Sequence, residues 1–257
     1  MIWQSLTFFR KPPLLRVLFL SLAAVNLLSA GAVSGRVELR DSQDASVRKR
    51  MDFSGVVVWL EPVAGSTSPA AVAIARPAPE GAVARMIQKD KTFTPHVLPI
   101  RAGTRVDFPN FDPIFHNAFS NYNGQPFDVG LYPPGTSKPM RFSQPGIVRV
   151  FCNIHANMSA VIVVLNTPYF GATQKNGNYQ LQDVPPGEYS LRFFHERATQ
   201  TTLDSLTRRV TVAEGNITLP AIAISESGFI VIPHHNKYGH DYTPPPDDDG
   251  VYPAVRK

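Results

Sequence analysis

Short apolar runs separated by turn-forming residues make up most of the chain after its first 32 residues. Val33 to Leu39 and Gly55 to Leu60 read as strands. The second run is apolar at every position from Val56 to Leu60, which predicts burial on both faces of a sheet. Helical periodicity is almost absent, and the 257 residues include 24 prolines. The pattern therefore predicts an all-β protein.

The stretch from Val83 to Leu165 supplies the strands of a small β-sandwich. The expected strands run from Ala84 to Lys89, Val97 to Arg101, Thr104 to Phe108, His116 to Ser120, Lys138 to Phe142, Ile147 to Cys152 and Ser159 to Leu165. Alternation places Val148, Val150 and Cys152 on one face of the sixth strand. We therefore expect Cys152 to end that strand with its side chain facing inward.

Candidate chemistry begins at Cys152, the only cysteine of the chain. His155 and Met158 follow it at steps of three residues, and His116 follows a strand-like segment upstream. Taken singly, such residues usually pack in a core. Taken together, one thiolate, two imidazoles and one thioether are the donors of a blue-copper centre, in which the methionine is a long axial ligand. The four side chains predict one type 1 copper ion that changes oxidation state with little rearrangement.

Residues 1–32 have the pattern of a secretory signal peptide cleaved near Ala32. Basic Arg10, Lys11 and Arg16 precede an apolar stretch from Val17 to Leu28. That stretch is shorter than the roughly 20 residues a spanning helix needs, so no permanent membrane span is expected after cleavage. We expect a periplasmic location, where a lone cysteine without a disulfide partner needs another use. The net charge of +5 is unclustered and indicates no nucleic-acid partner.

The copper motifs resemble the cupredoxin family. They are Val106-x-Phe108-x-Asn110, His116-Asn117, Pro145-Gly146-x-x-x-Val150-x-Cys152 and Cys-x-x-His-x-x-Met. The compact Cys-to-Met loop is similar to that of amicyanin, and Met86 to Glu196 resembles bacterial exported cupredoxin-domain proteins often labelled methylamine-utilisation-like. The resemblance implies a Greek-key β-sandwich with His116, Cys152, His155 and Met158 as copper ligands. It also implies that the side chain of Asn117 ties its loop to the backbone beside Cys152, supporting the ligands from outside.

After Leu165 the sequence predicts hairpins with an Asn176-Gly177 turn and a Pro186-Gly187 turn. This part resembles a transthyretin-like, carboxypeptidase-regulatory-like sandwich, whose usual first two strands match the segments before the copper motifs. The copper sandwich is thus expected to be inserted in, or followed by, a second sandwich. The expected division is a signal peptide at 1–32, a discontinuous sandwich at 33–65 and 167–225, a linker at 66–82, a cupredoxin domain at 83–166 and a Pro/Asp-rich tail at 226–257.

These features predict an electron carrier and no enzyme, passing single electrons between redox partners such as a c-type cytochrome or a dehydrogenase. The alternatives are a protein that stores or delivers copper and a metal-free structural or interaction sandwich. A copper oxidase is disfavoured because Phe151 and Asn153, not histidines, flank the cysteine. His96 and His195 are interpreted as structural or surface residues and not as metal ligands. The tail histidines, which are His234, His235 and His240, fall in a segment expected to be poorly ordered.

Overall fold

The computed structural model describes residues 30–63, 77–121, 124–230 and 233–242. Residues 1–29 of the predicted signal peptide, residues 64–76, which include most of the predicted linker at 66–82, and the tail after 242 lie outside the described residues. The described part contains 18 strands in five sheets and only two short helices. The all-β prediction is confirmed. No helix within the described ranges has both the length and the apolar character needed to cross a membrane.

The strands follow one another with few interruptions. They are β1 (Gly31–Arg40), β2 (Val57–Pro62), β3 (Val83–Arg85), β4 (Ile87–Lys89), β5 (Thr92–Thr94), β6 (Val97–Arg101), β7 (Thr104–Pro109), β8 (Phe119–Ser120), β9 (Phe127–Asp128), β10 (Ser137–Phe142), β11 (Gly146–Phe151), β12 (Ser159–Leu165), β13 (Phe170–Ala172), β14 (Asn178–Val184), β15 (Gly187–Phe194), β16 (Arg208–Val212), β17 (Ile217–Thr218) and β18 (Ile222–Ser225).

Two short helices were not predicted from the sequence. Helix α1 (Ala45–Arg50) starts at Asp44, whose side chain accepts a hydrogen bond from the amide of Ser46. Helix α2 (Gln200–Leu206) starts at Thr199, which caps the amide of Thr202 in the same way. Each helix buries only one of its residues. A six- or seven-residue helix with one buried position leaves no 3.6-residue period to detect.

The predicted copper sandwich consists of two facing sheets. One has the order β6-β12-β11-β8-β9 and the other β10-β7-β3. Their inner faces meet in one apolar core, which contains Met86, Phe93, Ile100, Val106, Phe108, Phe127, Tyr132, Phe142, Val148, Val150, Cys152, Met158, Ile162 and Val164. The cysteine and the methionine are therefore part of a packed hydrophobic core.

Strands on both sides of this sandwich in sequence pair with each other. β1 lies between β14 and β17 and also pairs with β18, while β2 lies between β13 and β15, with β16 beyond. A second apolar core, including Val37, Val58, Leu60, Leu181 and Leu191, fills the space between these two sheets. An inserted copper sandwich requires such pairing between distant segments. The domain boundaries given above stay a prediction.

β12 joins the two halves because both of its faces are buried. Ala160, Ile162 and Val164 belong to the copper-side core. The residues between them, Val161, Val163 and Leu165, pack in a third cluster with Val57 of β2 and Phe194 of β15. Fully burying a side chain of this size contributes about 1.5–3 kcal/mol. The expected two-sided burial of β2 holds at Val57 and Val58, whereas Trp59 is half-buried and donates a hydrogen bond to Glu61.

Several predicted strands differ from the structure at their ends. The strand expected from His116 is only Phe119–Ser120, because His116 forms an isolated bridge with Tyr132 and not a continuous ladder. The run from Ala84 to Lys89 divides at Met86, whose side chain is fully buried. Cys152 falls one position after β11. These shifts place the candidate ligands in loops at the ends of strands.

His96 connects the two sandwiches through a hydrogen bond to Glu196, with Nε2 2.8 Å from Oε1. This hydrogen bond raises the pKa of His96. Because the folded-state pKa lies above the unfolded value, the pair stabilises the fold fully below about pH 6.5, as long as Glu196 is ionised, and the contribution disappears as the pH rises through the raised pKa of His96. The imidazole is 45% exposed, so the effect is at most about 0.5 kcal/mol.

We expect His96→Gln to lower the free energy of unfolding near pH 5.5 and to have no effect well above the raised pKa. Urea titrations of both proteins across this pH range measure the difference. The matched control is His240→Gln, the same substitution at an exposed histidine. A pH-independent difference between His96→Gln and the unmodified protein would contradict the ion-pair account.

A fragment of residues 167–225 lacks β1 and β2. In the full chain, each of these strands is an interior strand of one of the two sheets of the second sandwich. Two sheets without their interior strands cannot bury the second core, so we expect this fragment to be unfolded by circular dichroism. The full chain under the same conditions is the control. Cooperative thermal unfolding of the fragment would instead show two domains in series.

Candidate metal centre

The hairpin of β11 and β12 presents Cys152 and Met158 at the two ends of one loop. Phe151 pairs with Ser159 as the last ladder position. Beyond it, the amide of Cys152 donates to the carbonyl of Met158 (3.1 Å), and the amide of Met158 donates to the carbonyl of His155 (3.0 Å). The loop is closed by its own backbone, so the spacing of the three side chains is fixed locally.

His116 comes from the connection between β7 and β8. Its amide and carbonyl both pair with Tyr132, at 3.2 and 2.9 Å. The preceding turn is held by Asn110, whose Nδ2 donates to the carbonyl of Ile114 (2.8 Å) and whose Oδ1 accepts from the amide of Asp112 (3.0 Å). A polar turn of this kind ends the strand and directs the histidine toward the β11–β12 loop.

The Sγ atom of Cys152 lies between two imidazole nitrogens. It is 3.8 Å from Nδ1 of His116 and 3.6 Å from Nδ1 of His155. The three possible ligand atoms lie within 4.8 Å of one another, and the two ring centroids are 4.9 Å apart. For zinc, bonds of about 2.3 Å to sulfur and 2.0 Å to nitrogen put ligand atoms roughly 3.5 Å apart. The separations thus fit a single ion bound by all three side chains.

The donor set is shielded from solvent on one side. His116 and Cys152 are fully buried, and His155 is half-buried. Met158, the predicted axial ligand, is also fully buried and belongs to the same core cluster as Cys152. The structure thus brings three of the four predicted ligands within one ion's reach and buries the fourth in the core beside the cysteine.

Burial sets the protonation of the metal-free site. It raises the pKa of the Cys152 thiol, and the backbone N–H groups of Ile154, Asn117 and His155 oppose this by hydrogen-bonding to the sulfur. Burial also lowers the pKa of His116, which keeps its imidazole neutral and able to bind a metal. A metal ion must therefore displace the thiol proton, so binding is stronger at higher pH.

Asp112 is a site residue that the sequence reasoning missed. It is only 6% exposed, and its Oδ2 lies 2.7 Å from Nε2 of His116. The amides of Asp90 and Lys91 donate to its two oxygens at 2.6 and 2.9 Å. Burial disfavours the charged form, yet these hydrogen bonds lower the pKa of Asp112 overall. The carboxylate orients the ring so that Nδ1 faces the sulfur.

The signal for this residue was present in the sequence as an acidic residue four positions before a candidate ligand. A carboxylate that accepts from the other ring nitrogen of a metal-binding histidine is common. What the sequence did not show is that the Asp90-Lys91 turn would supply two amides to bury the charge.

Asn117 connects the two loops that carry the candidate ligands. Its Oδ1 accepts a hydrogen bond from the amide of Asn153 at 3.2 Å. Its Nδ2 donates to Oδ1 of Asp128 at 2.7 Å and to the carbonyl of Gly130 at 3.2 Å. The side chain is 1% exposed, so it works as an internal tie between the loops.

The other histidines lie apart from the group formed by His116, Cys152 and His155. His195 is buried and its Nε2 is 2.7 Å from Oε1 of Glu226. Although burial acts in the opposite direction, hydrogen bonds from His195, Arg197 and Ser42 lower the pKa of Glu226 to about 2. These contacts agree with a structural role for His195 in the second sandwich.

The expectation of a poorly ordered tail is wrong for residues 233–242. Asn236 nucleates a turn there by accepting hydrogen bonds from the amides of Tyr238 and His240. Residue Gly239 has φ +80°, which suits glycine in a tight turn. The ring of His234 stacks on Phe151, with 4.0 Å between centroids. The prediction failed because these specific contacts, such as that of His234 with Phe151, cannot be read from composition.

No protein-family model matches the chain, and no curated protein matches it. Among solved structures, a copper-containing nitrite reductase from Thermus scotoductus SA-01 is 28% identical over 36% of this chain and 26% of its own length, with a TM-score of 0.31. A purple cupredoxin from Nitrosopumilus maritimus is 25% identical over 32% of this chain and 98% of its own length (TM-score 0.29). An oxidised amicyanin variant is 19% identical over 36% and 89% (TM-score 0.31).

Replacing Asp112 by asparagine keeps the size of the side chain but removes its charge. We expect copper affinity to fall about 10- to 100-fold, because His116 loses the acceptor that orients its ring. The matched control is Asp107→Asn on β7, where the carboxylate pairs with half-exposed Arg105. Competition with a chelator of known affinity measures both variants. Equal affinities would show that Asp112 does not position the ring.

Proposed function

We propose that this chain is an exported type 1 copper protein that carries single electrons between redox partners. The observation that carries the proposal is the convergence of one buried cysteine sulfur and two histidine Nδ1 atoms. His116, Cys152 and His155 would hold the ion, and Met158 would supply the weak axial sulfur. Copper bound by this set supplies a one-electron carrier. By this proposal the chain belongs with the cupredoxins.

The residues of the chain provide the conditions for fast electron transfer. The backbone of the β11–β12 loop and the Asp112–His116 contact hold the donor atoms before any metal arrives. A mixed set of soft sulfur and imidazole nitrogen is acceptable to both oxidation states of copper. Since the donors are already in place and mostly buried, a change of oxidation state requires little movement of protein or water.

Electron exchange with a partner requires an accessible edge of the site. His155 is half-buried, whereas the other histidine is fully buried. Leu131, which is 58% exposed, precedes Tyr132, the backbone partner of His116, and Phe111, which is 62% exposed, lies in the loop that leads to His116. Exposed apolar residues of this kind suit a small, transient interface. The proposed partner is a redox protein such as a c-type cytochrome or a dehydrogenase, and the proposed location is the periplasm.

The visible spectrum tests the proposal. We expect the oxidised, copper-loaded protein to show an intense thiolate-to-copper absorption that is lost in Cys152→Ser, because serine provides no soft thiolate. His96→Gln, outside the group of candidate ligands, is the control and should keep the band. Copper bound without this band would favour storage or delivery of the metal. Absence of copper binding would favour a metal-free structural sandwich.

A further inference from the structure

The segment of residues 233–242, here called the strap, contacts Cys152 and the residues on both sides of it. The Tyr242 hydroxyl donates a hydrogen bond to the carbonyl of Cys152 at 2.8 Å. The amide of Lys237 donates to Oδ1 of Asn153 at 3.0 Å. The residue before the cysteine, Phe151, is covered by the His234 ring. Three consecutive residues at the candidate ligand are therefore contacted by one distant segment.

An ion pair links the strap to the tie between the two ligand loops. Lys237 Nζ is 2.8 Å from Oδ2 of Asp128, and this lysine side chain is only 23% exposed. Oδ1 of the same carboxylate accepts from Asn117, which in turn accepts from the amide of Asn153. Asn153 is thus held from both sides, by the strap through its side chain and by Asn117 through its backbone.

The strap has an internal structure that presents these groups together. Oδ1 of Asn236 accepts two amides of its own turn, and the carbonyl of Asn236 accepts the amide of Gly239 at 3.0 Å. His235 Nδ1 lies 3.0 Å from Oδ1 of Asp241 and closes the turn. His234 also contacts the ring of Tyr242, with centroids 5.3 Å apart. The two ends of the strap therefore contact each other beside Phe151 and Cys152.

We propose that the strap is a positioning element that clamps the loop carrying Cys152 and His155, so that retention of the metal and docking of the strap are coupled. The inference rests on the proposed copper site. Contacts outside the ligands themselves control how tightly a metal is held, by a factor of about 10–100 when one is removed. Coupling of this kind is reciprocal, so metal binding must in turn stabilise the docked strap.

Two substitutions in the full-length protein remove strap contacts without touching a candidate ligand. Tyr242→Phe deletes only the hydroxyl that donates to Cys152. Lys237→Met removes the ion pair with Asp128 and keeps the backbone donor to Asn153. The matched control is His240→Gln, a substitution in the same segment at an exposed side chain.

The first readout is the rate of copper release from the Cu(II)-loaded protein into excess chelator. We expect release about tenfold faster from Tyr242→Phe and Lys237→Met, and an unchanged rate from His240→Gln. Rates equal to that of the unmodified protein in both strap variants would overturn the proposal.

The second readout is amide hydrogen exchange, which does not depend on the spectrum of the metal. Copper loading should slow exchange at residues 233–242 of the unmodified protein, and Tyr242→Phe should speed exchange at 151–158 in the metal-free form. If copper binds with the expected absorption but neither exchange rate changes, the clamp is wrong and the copper proposal stands. If copper does not bind, the proposed function fails, and exchange at 151–158 in the metal-free variants alone decides whether the strap clamps the loop.

Discussion

The pairing of β11 with β12 is the constraint on which the candidate site depends. Its ladder runs in register from Gly146 opposite Val164 to Phe151 opposite Ser159. This register fixes the length of the connecting loop and places Cys152 and Met158 at the loop's two ends. A shift by one residue would turn Val148 and Val150 out of the core. The burial of those residues therefore selects the position of the cysteine.

The same hairpin is supported from behind by the second sandwich. Val161, Val163 and Leu165 of β12 pack against Val57 and Phe194 in the cluster between the two halves. β12 is thus covered on both faces, as strands of a central layer are. This cover comes from β2 and β15, which lie before and after the candidate ligands in the sequence. The second sandwich consequently supports the site although it provides no candidate ligand.

Local patterns were sufficient for much of this structure. Alternation around Val148 and Val150 placed Cys152 correctly on the inner face, and the strands Val97–Arg101 and Ser159–Leu165 were predicted with their observed ends. The spacing of Cys152, His155 and Met158 indicated a metal site, and the structure brings His116 to it from 36 residues away. Resemblance to a known family supplied the role expected of Asn117.

What the sequence could not show depends on contacts between distant segments. The burial of Asp112 requires hydrogen bonds from the amides of Asp90 and Lys91, which lie more than 20 positions earlier in the sequence. The strap has the composition of a disordered tail, and it is ordered by single hydrogen bonds to Cys152 and Asn153 that no periodicity encodes. Short helices such as Ala45–Arg50 form because of their caps and one buried side chain.

The central claim is that one buried sulfur and two histidine nitrogens hold a single copper ion. X-ray absorption at the copper edge of the loaded, full-length protein tests this most directly, since it identifies the atoms bound to the metal. The account predicts one close sulfur and two close nitrogens, corresponding to Cys152, His116 and His155. A copper environment of nitrogen and oxygen without a close sulfur would contradict it.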